Sequence, residues 1–143
     1  MSVPPILPVI AASFLLGSMI FFAAVTAPAV FKFLPSDVAG QYLRGVFPRY
    51  YLWGTVCALI SAGLSLPVGP IPGGLLLFVA LAFAGVRQIL VPRINEAKEG
   101  RAAGDQAATA RFARLHRLSV SINLAQMIAL IVVLVLLATL PSP

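Results

Sequence analysis

The sequence predicts an all-α fold, a polytopic bundle of four transmembrane helices with both termini on the non-cytoplasmic side. Three observations lead there. The chain has 143 residues, 60% of them hydrophobic and 10% charged, with a mean hydropathy of +1.01. A soluble domain averages about 25% charged residues, so this chain has too little charge to cover a water-facing surface. Long apolar runs recur, separated by stretches rich in Pro, Gly or charge. Finally, all ten Lys and Arg residues fall in Lys32 to Arg49 and Arg87 to Arg117. Lys and Arg collect on the cytoplasmic side of a membrane. The first and third connections are therefore expected inside, and the uncharged second one outside. The whole chain, residues 1–143, reads as a single membrane domain with helices at about 6–34, 50–66, 74–95 and 107–140. An all-helical span points to the bacterial inner (cytoplasmic) membrane.

The first run goes from Ile6 to Leu34. Pro4, Pro5 and Pro8 precede or open it, where a missing N–H does no harm. The start lacks a basic n-region and its apolar run is long, so it reads as a retained helix and not a signal peptide. Pro28 is expected to kink or break this helix, with Thr26 near the freed carbonyl. Ala11, Ala12, Gly17, Ser18, Ala23 and Ala24 are small enough to permit close helix contact. The connection from Pro35 to Arg49 reads as an interfacial segment, with a short helix capped by Ser36 or Asp37 and ended by Gly45.

The second run, Tyr50 to Leu66, opens on an aromatic belt of Tyr50, Tyr51 and Trp53. Pro67 to Gly74 reads as a tight non-helical turn. The third run, Leu75 to Val91, is at the short limit for a span, so its helix is expected to extend beyond Pro92 or to be slightly tilted. Glu96 to Asp105 reads as a charged hairpin loop. The last run, from Gln106 to Leu140, is about 52 Å long at 1.5 Å per residue, against a bilayer core of about 30 Å. Its first turns, with Arg111, Arg114 and Arg117, should stand clear of the membrane.

Composition sets aside several functions. The net charge of +6 comes from loop and helix-end residues, which suits contact with anionic headgroups at about 1 kcal/mol each, and no nucleic-acid partner is expected. Cys57 is the only cysteine, so neither an internal disulfide nor a cysteine metal site can form. With one His and no acid within the runs, a multidentate metal site is not expected, nor is ion coupling of the usual carboxylate kind. No acid shares the face of His116 and Ser119, and there is no phosphate-binding glycine loop. No cofactor, metal or catalytic residue is expected.

Two features could carry function. Phe112, His116, Ser119, Asn123 and Gln126 recur at steps of four and three and share one helical face. A polar stripe facing lipid is costly, so it should face the bundle interior. It serves either as interhelical hydrogen-bond glue or as a polar site. Arg87 is the second feature. It should snorkel, pair with Asp37, or hold an anionic ligand or headgroup. Lys32 should reach the cytoplasmic interface.

Four segments in order carry a family resemblance: Thr26 to Pro35, Asp37 to Gly40, Val46 to Tyr51, and Phe112 to Ser119 with Asn123. Pro92 and Asn95 also fit. The chain resembles the transmembrane-protein-205-like family across nearly its whole length. That likeness implies a small four-helix integral membrane protein, whose bacterial members are a domain of unknown function, and it supplies no catalytic residue. The motif positions are Pro28, Phe31, Lys32, Gly40, Phe47, Pro48, Arg49, His116, Ser119 and Asn123, all at the expected cytoplasmic end.

The resulting expectation is a non-enzymatic accessory or scaffold subunit of a larger inner-membrane complex, with membrane lipids and other membrane subunits as partners. The alternative is a binder or transporter of a small amphipathic or anionic molecule. Its site would use Lys32, Arg49, Arg87, Asn95, His116, Ser119 and Asn123. An enzymatic or redox role has only His116 in its favour.

Overall fold

The computed structural model describes residues 6–139, and among them forms four helical rods. They are α1 (Ile6–Phe33), α2 (Ser36–Ser65), α3 (Pro70–Ala102) and α4 (Gln106–Thr139). Pro4, Pro5 and Leu140 lie outside the described residues. The connections are residues 34–35, 66–69 and 103–105. Connections this short make consecutive rods antiparallel neighbours. Each rod packs on its neighbours in ring order, and α4 closes the ring on α1. By length and composition α1, α3 and α4 can each cross a membrane, which makes the chain a membrane protein. The Tyr, Trp, Gly, Ser and Arg residues of α2 make it less apolar.

The rods are longer than the sequence suggests, because three expected breaks are helical. The connection before Tyr50 is the first half of α2, which runs through Gly45 and Pro48 without interruption. Tertiary packing holds it: Ala39 and Leu43 bury against Val30 of α1. Pro48 has no N–H for the carbonyl four residues back, and its ring crowds that carbonyl. Two guanidinium groups donate to carbonyls around this point. Arg49 Nη1 reaches Gly45 O at 2.7 Å, and Arg87 Nε reaches Pro48 O at 3.1 Å.

The second expected break, Pro67 to Gly74, is only half a turn segment. Helix α3 already starts at Pro70, and Pro70 and Pro72 fall in its first turn, where no intrahelical donor is needed. Gly73 sits against α2: a Cβ there would lie 2.6 Å from Leu66 Cδ2.

The third, Glu96 to Asp105, contributes only its last residues to a loop. Helix α3 continues to Ala102, and the chain reverses at Gly104, whose φ is 88°. A left-handed conformation at this point favours glycine. Asp105 then caps α4, its Oδ1 accepting from Ala107 N at 2.9 Å and Ala108 N at 3.3 Å. Gly100 does not break α3; it lets α4 approach, since a Cβ would stand 2.6 Å from Ala108 Cβ.

Pro28 and Pro92 break neither rod. Each follows a single π turn, Phe22–Thr26 in α1 and Val86–Leu90 in α3. In them Ala27 N–H donates to Phe22 O, and Val91 N–H to Val86 O, five residues back. The wider turn places each proline in the opening turn of the next α-helical stretch. The adjustment is made by the backbone; the Thr26 side chain forms no capping bond.

Leu15, Met19, Leu76, Val79, Phe83, Leu130 and Val133 fill the centre of the ring with no exposure. In lipid this cluster gains through close van der Waals packing, because the tails are as apolar as leucine. Toward the end of the bundle that holds the connections 34–35 and 103–105, an aromatic cluster takes over. Phe22 stacks on Tyr50 at 4.4 Å, and Tyr50 and Tyr51 both meet Phe83. Of the expected belt, only Trp53 is exposed, while Tyr51 is buried in the core. Among the small residues of α1, Ala12 is buried, but Gly17, Ala23 and Ala24 face outward.

The contact that α2 needs is at Gly54, where a Cβ would lie 2.4 Å from the Phe83 ring. Gly54→Ala should therefore lower the melting temperature in a fixed detergent, by an overpacking cost of about 1–3 kcal/mol. Gly17→Ala meets nothing within 4 Å and should leave the melt unchanged or slightly higher, because Ala is the better helix former by about 1 kcal/mol. Equal melts for the two variants would contradict this packing.

Candidate functional site

The polar stripe of α4 runs from an exposed end to a buried one. Phe112 is half-buried and His116 is exposed, their rings parallel at 5.9 Å. Arg101 of α3 lies over the Phe112 ring at 4.3 Å, a cation–π contact across the α3–α4 hairpin. Ser119 is buried, donates to His116 O at 2.8 Å and faces Tyr51. Asn123 accepts from Tyr50 OH at 2.9 Å, a bond between the diagonal rods α2 and α4. Gln126 is buried, and its Nε2 donates to Val79 O of α3 at 3.3 Å. Its Oε1 is buried without a partner. The inner residues of the stripe therefore tie α4 to α2 and α3, and the outer ones face solvent or headgroups. The opposite face, with Val120 and Leu124, is exposed and apolar.

Arg87 is elsewhere, facing α2. It follows the start of the π turn in α3 and is half-buried, with Nε fixed on the carbonyl of Pro48. It does not pair with Asp37, which lines a separate hollow with Lys98 and Gln41. An acid was not required: the backbone around Pro48 supplied the partner. Arg87 opens onto a groove of about 590 Å³ whose walls are Arg44, Pro48, Gln88, Val91, Pro92, Asn95, Glu96 and Glu99. Arg44 and Glu99 form an ion pair across it, and beyond it Lys98 Nζ donates to Gly40 O at 3.1 Å. These links hold the outer parts of α2 and α3 together. Both partners of the ion pair are exposed, so its contribution is at most about 1 kcal/mol.

The expected site residues thus separate into groups. Arg87 and Asn95 share the groove. Ser119 and Asn123 are interior and bonded within the bundle. His116 is at the exposed end of the stripe, and no residue of α4 lines the groove. Arg49 is exposed and bonded to its own helix, and Lys32 is exposed with Nζ 5.5 Å from the Phe33 ring. Arg44, Gln88, Glu96 and Glu99 complete the groove. In the sequence they read as ordinary loop or helix-end residues, and only the unbroken helices α2 and α3 align them.

If the Tyr50–Asn123 bond is interhelical glue, its coupling energy should be small. A double-mutant cycle of Tyr50→Phe and Asn123→Leu in thermal unfolding should give about 0.6 kcal/mol, as such bonds do in membranes. A coupling of several kcal/mol would mean that the pair organises more of the interior than this one contact.

Neither the curated proteins nor the solved structures yield a match to the chain. A family model does, over residues 10–103, which take in α1, α2, the π turn and groove wall of α3, and none of α4. The chain belongs to that family, described as a domain of unknown function (DUF4149).

Proposed function

We propose that the protein is a non-enzymatic membrane protein that binds an anionic amphipathic molecule in the groove between α2 and α3. The observation that carries this reading is Arg87. It is a half-buried cation midway along α3, where the apolar stretch of that rod gives way to polar residues, and among the described residues only its Nε is engaged. Its terminal nitrogens are left for a ligand. The groove, about 590 Å³, is open to its surroundings, which suits a headgroup whose tail lies outside it. Transport through the bundle has less support, since Phe83, Leu76, Val79, Leu130 and Val133 close its centre.

The setting is the bacterial inner membrane, with four spans and both termini outside the cytoplasm. The 30 residues of α2, about 45 Å at helical rise, are long enough for the fourth span. The distribution of Lys and Arg supports the sidedness, and puts the groove on the cytoplasmic side. The likeness to transmembrane-protein-205-like proteins belongs to the same reading.

A second reading, an accessory subunit of a larger membrane complex, is favoured by the head of the bundle. There Ala97 and Ala108 are fully buried and Gly100 permits close contact, so the α3–α4 hairpin forms a firm projection bearing Arg101, Arg111 and Arg114.

Native mass spectrometry of the protein extracted from its own membranes in mild detergent tests both. A small amphipathic adduct on the chain or its homo-oligomer, reduced in Arg87→Gln, is the expected result. Stoichiometric polypeptide partners without an adduct would replace this reading with the accessory one.

A further inference from the structure

The groove has a polarity that narrows its ligand, and the inference rests on the binding reading above. We propose that Arg87 holds the phosphate of a phospholipid, and that the carboxylates farther along the groove disfavour headgroups carrying a second negative charge.

Arg87 is pre-oriented. Its Nε bond to Pro48 O at 3.1 Å fixes the guanidinium plane and leaves the two terminal nitrogens as a fork. Such a fork binds a phosphate or carboxylate through two parallel hydrogen bonds. Neighbouring Gln88 and, farther along, Asn95 add neutral amide donors to the groove wall. A tetrahedral phosphate ester offers more acceptor oxygens than a carboxylate, and so uses a wall of donors better.

The apolar side of the boundary selects a lipid over a free anion. On the bundle side of Arg87 the same two rods expose Leu52, Val56 and Leu59 of α2 and Leu77, Phe78 and Leu81 of α3. Acyl chains can lie along those surfaces while the phosphate sits at Arg87. A dissolved phosphate gains nothing from them and competes with its own hydration.

The far end of the groove sets the selectivity. Glu96 lies nine positions beyond Arg87, about 13 Å along the axis, and Glu99 a further turn out. Glu99 is neutralised by Arg44; Glu96 has no cation paired with it among the described residues. A headgroup reaching outward from the phosphate meets an uncompensated negative charge. Hydroxyl or amine groups are accepted there, and a second anionic charge is repelled.

The test uses the full chain in a neutral detergent, titrated separately with phosphatidylglycerol, phosphatidylinositol phosphate, diacylglycerol, a long-chain fatty acid and inorganic phosphate. Bound mass is read by native mass spectrometry. Phosphatidylglycerol should bind best, phosphatidylinositol phosphate, whose second phosphate is carried outward on its ring, more weakly, and diacylglycerol and inorganic phosphate least. Arg87→Gln should weaken phosphatidylglycerol about tenfold, the loss of a charge-assisted hydrogen-bonded contact. Arg87→Lys, which keeps the charge and removes the fork, should weaken it as well. Glu96→Gln should raise phosphatidylinositol phosphate toward phosphatidylglycerol while leaving the latter unchanged. Melting curves of all three variants separate lost binding from lost folding.

Equal binding of phosphatidylglycerol and diacylglycerol would overturn the phosphate assignment and indicate an unselective lipid shell. Binding of inorganic phosphate as tight as the phospholipid would overturn the lipid assignment in favour of a free-anion site. Fatty-acid binding that depends on Arg87, with none for phosphatidylglycerol, would keep the anionic-amphipath reading and reject the phosphate. If no amphipath binds in an Arg87-dependent way, both fall.

Discussion

A helix in an apolar medium has no water to satisfy its backbone, so every carbonyl left without an N–H must find a donor within the protein. Three prolines inside the rods, Pro28, Pro48 and Pro92, remove such donors, and much of the architecture follows from how they are accommodated. Pro28 and Pro92 are each preceded by a π turn, which changes the hydrogen-bond register locally and lets the rod continue. At Pro48 the helix stays α; the carbonyl it leaves without an N–H is that of Arg44, and the Arg49 and Arg87 side chains donate to the neighbouring carbonyls of Gly45 and Pro48. Since the rods continue through these points, the bundle has long helices and very short connections.

The same requirement explains where the interior polar side chains go. Tyr50 reaches across the ring to Asn123, and Gln126 reaches a carbonyl of α3. Both contacts lie deep in the bundle, where the surrounding interface is made mainly of apolar side chains and aromatic edges. In lipid such bonds contribute little each, yet a polar group turned to the hydrocarbon would cost several kcal/mol. Their main effect is to fix the rotation of α4 about its axis. Among the described residues, Gln126 Oε1 and Ser65 Oγ are buried without a partner.

Arg87 belongs to both the backbone arrangement and the candidate site. Its bond to Pro48 O links α3 to α2 at the proline, and by using Nε it turns the other guanidinium nitrogens outward. The groove follows from this placement: an apolar rod surface on one side, a paired and an unpaired carboxylate on the other, and a single oriented cation between them. A site built on helices, with its cation held by a backbone carbonyl, is better ordered than one on a loop.

The sequence by itself determined the class, the number of helical rods and the inward turn of Ser119, Asn123 and Gln126, whereas His116, expected inside with them, is exposed. Hydrophobic periodicity and the clustering of Lys and Arg are properties of the chain, legible without coordinates. It did not determine where the rods end. Pro, Gly and charged residues mark breaks only when no tertiary contact compensates. Here Ala39 and Leu43 against Val30, and Gly100 against Ala108, extend helices through segments that read as loops. The candidate site was legible only in part. Arg87 and Asn95 stood out as polar groups at the end of an apolar run, but the alternatives for Arg87 were the interface, Asp37 or an anionic ligand, and none was a main-chain partner. Its partner is a main-chain oxygen, which every residue has and no side-chain pattern reveals. Tyr50 and Tyr51 read as interfacial for a similar reason: an aromatic ring with a hydroxyl suits a membrane boundary and a hydrogen-bonded interior equally. Only the packing of α2 against α3 and α4 decided between them, because burial and bonding depend on which surfaces meet in three dimensions.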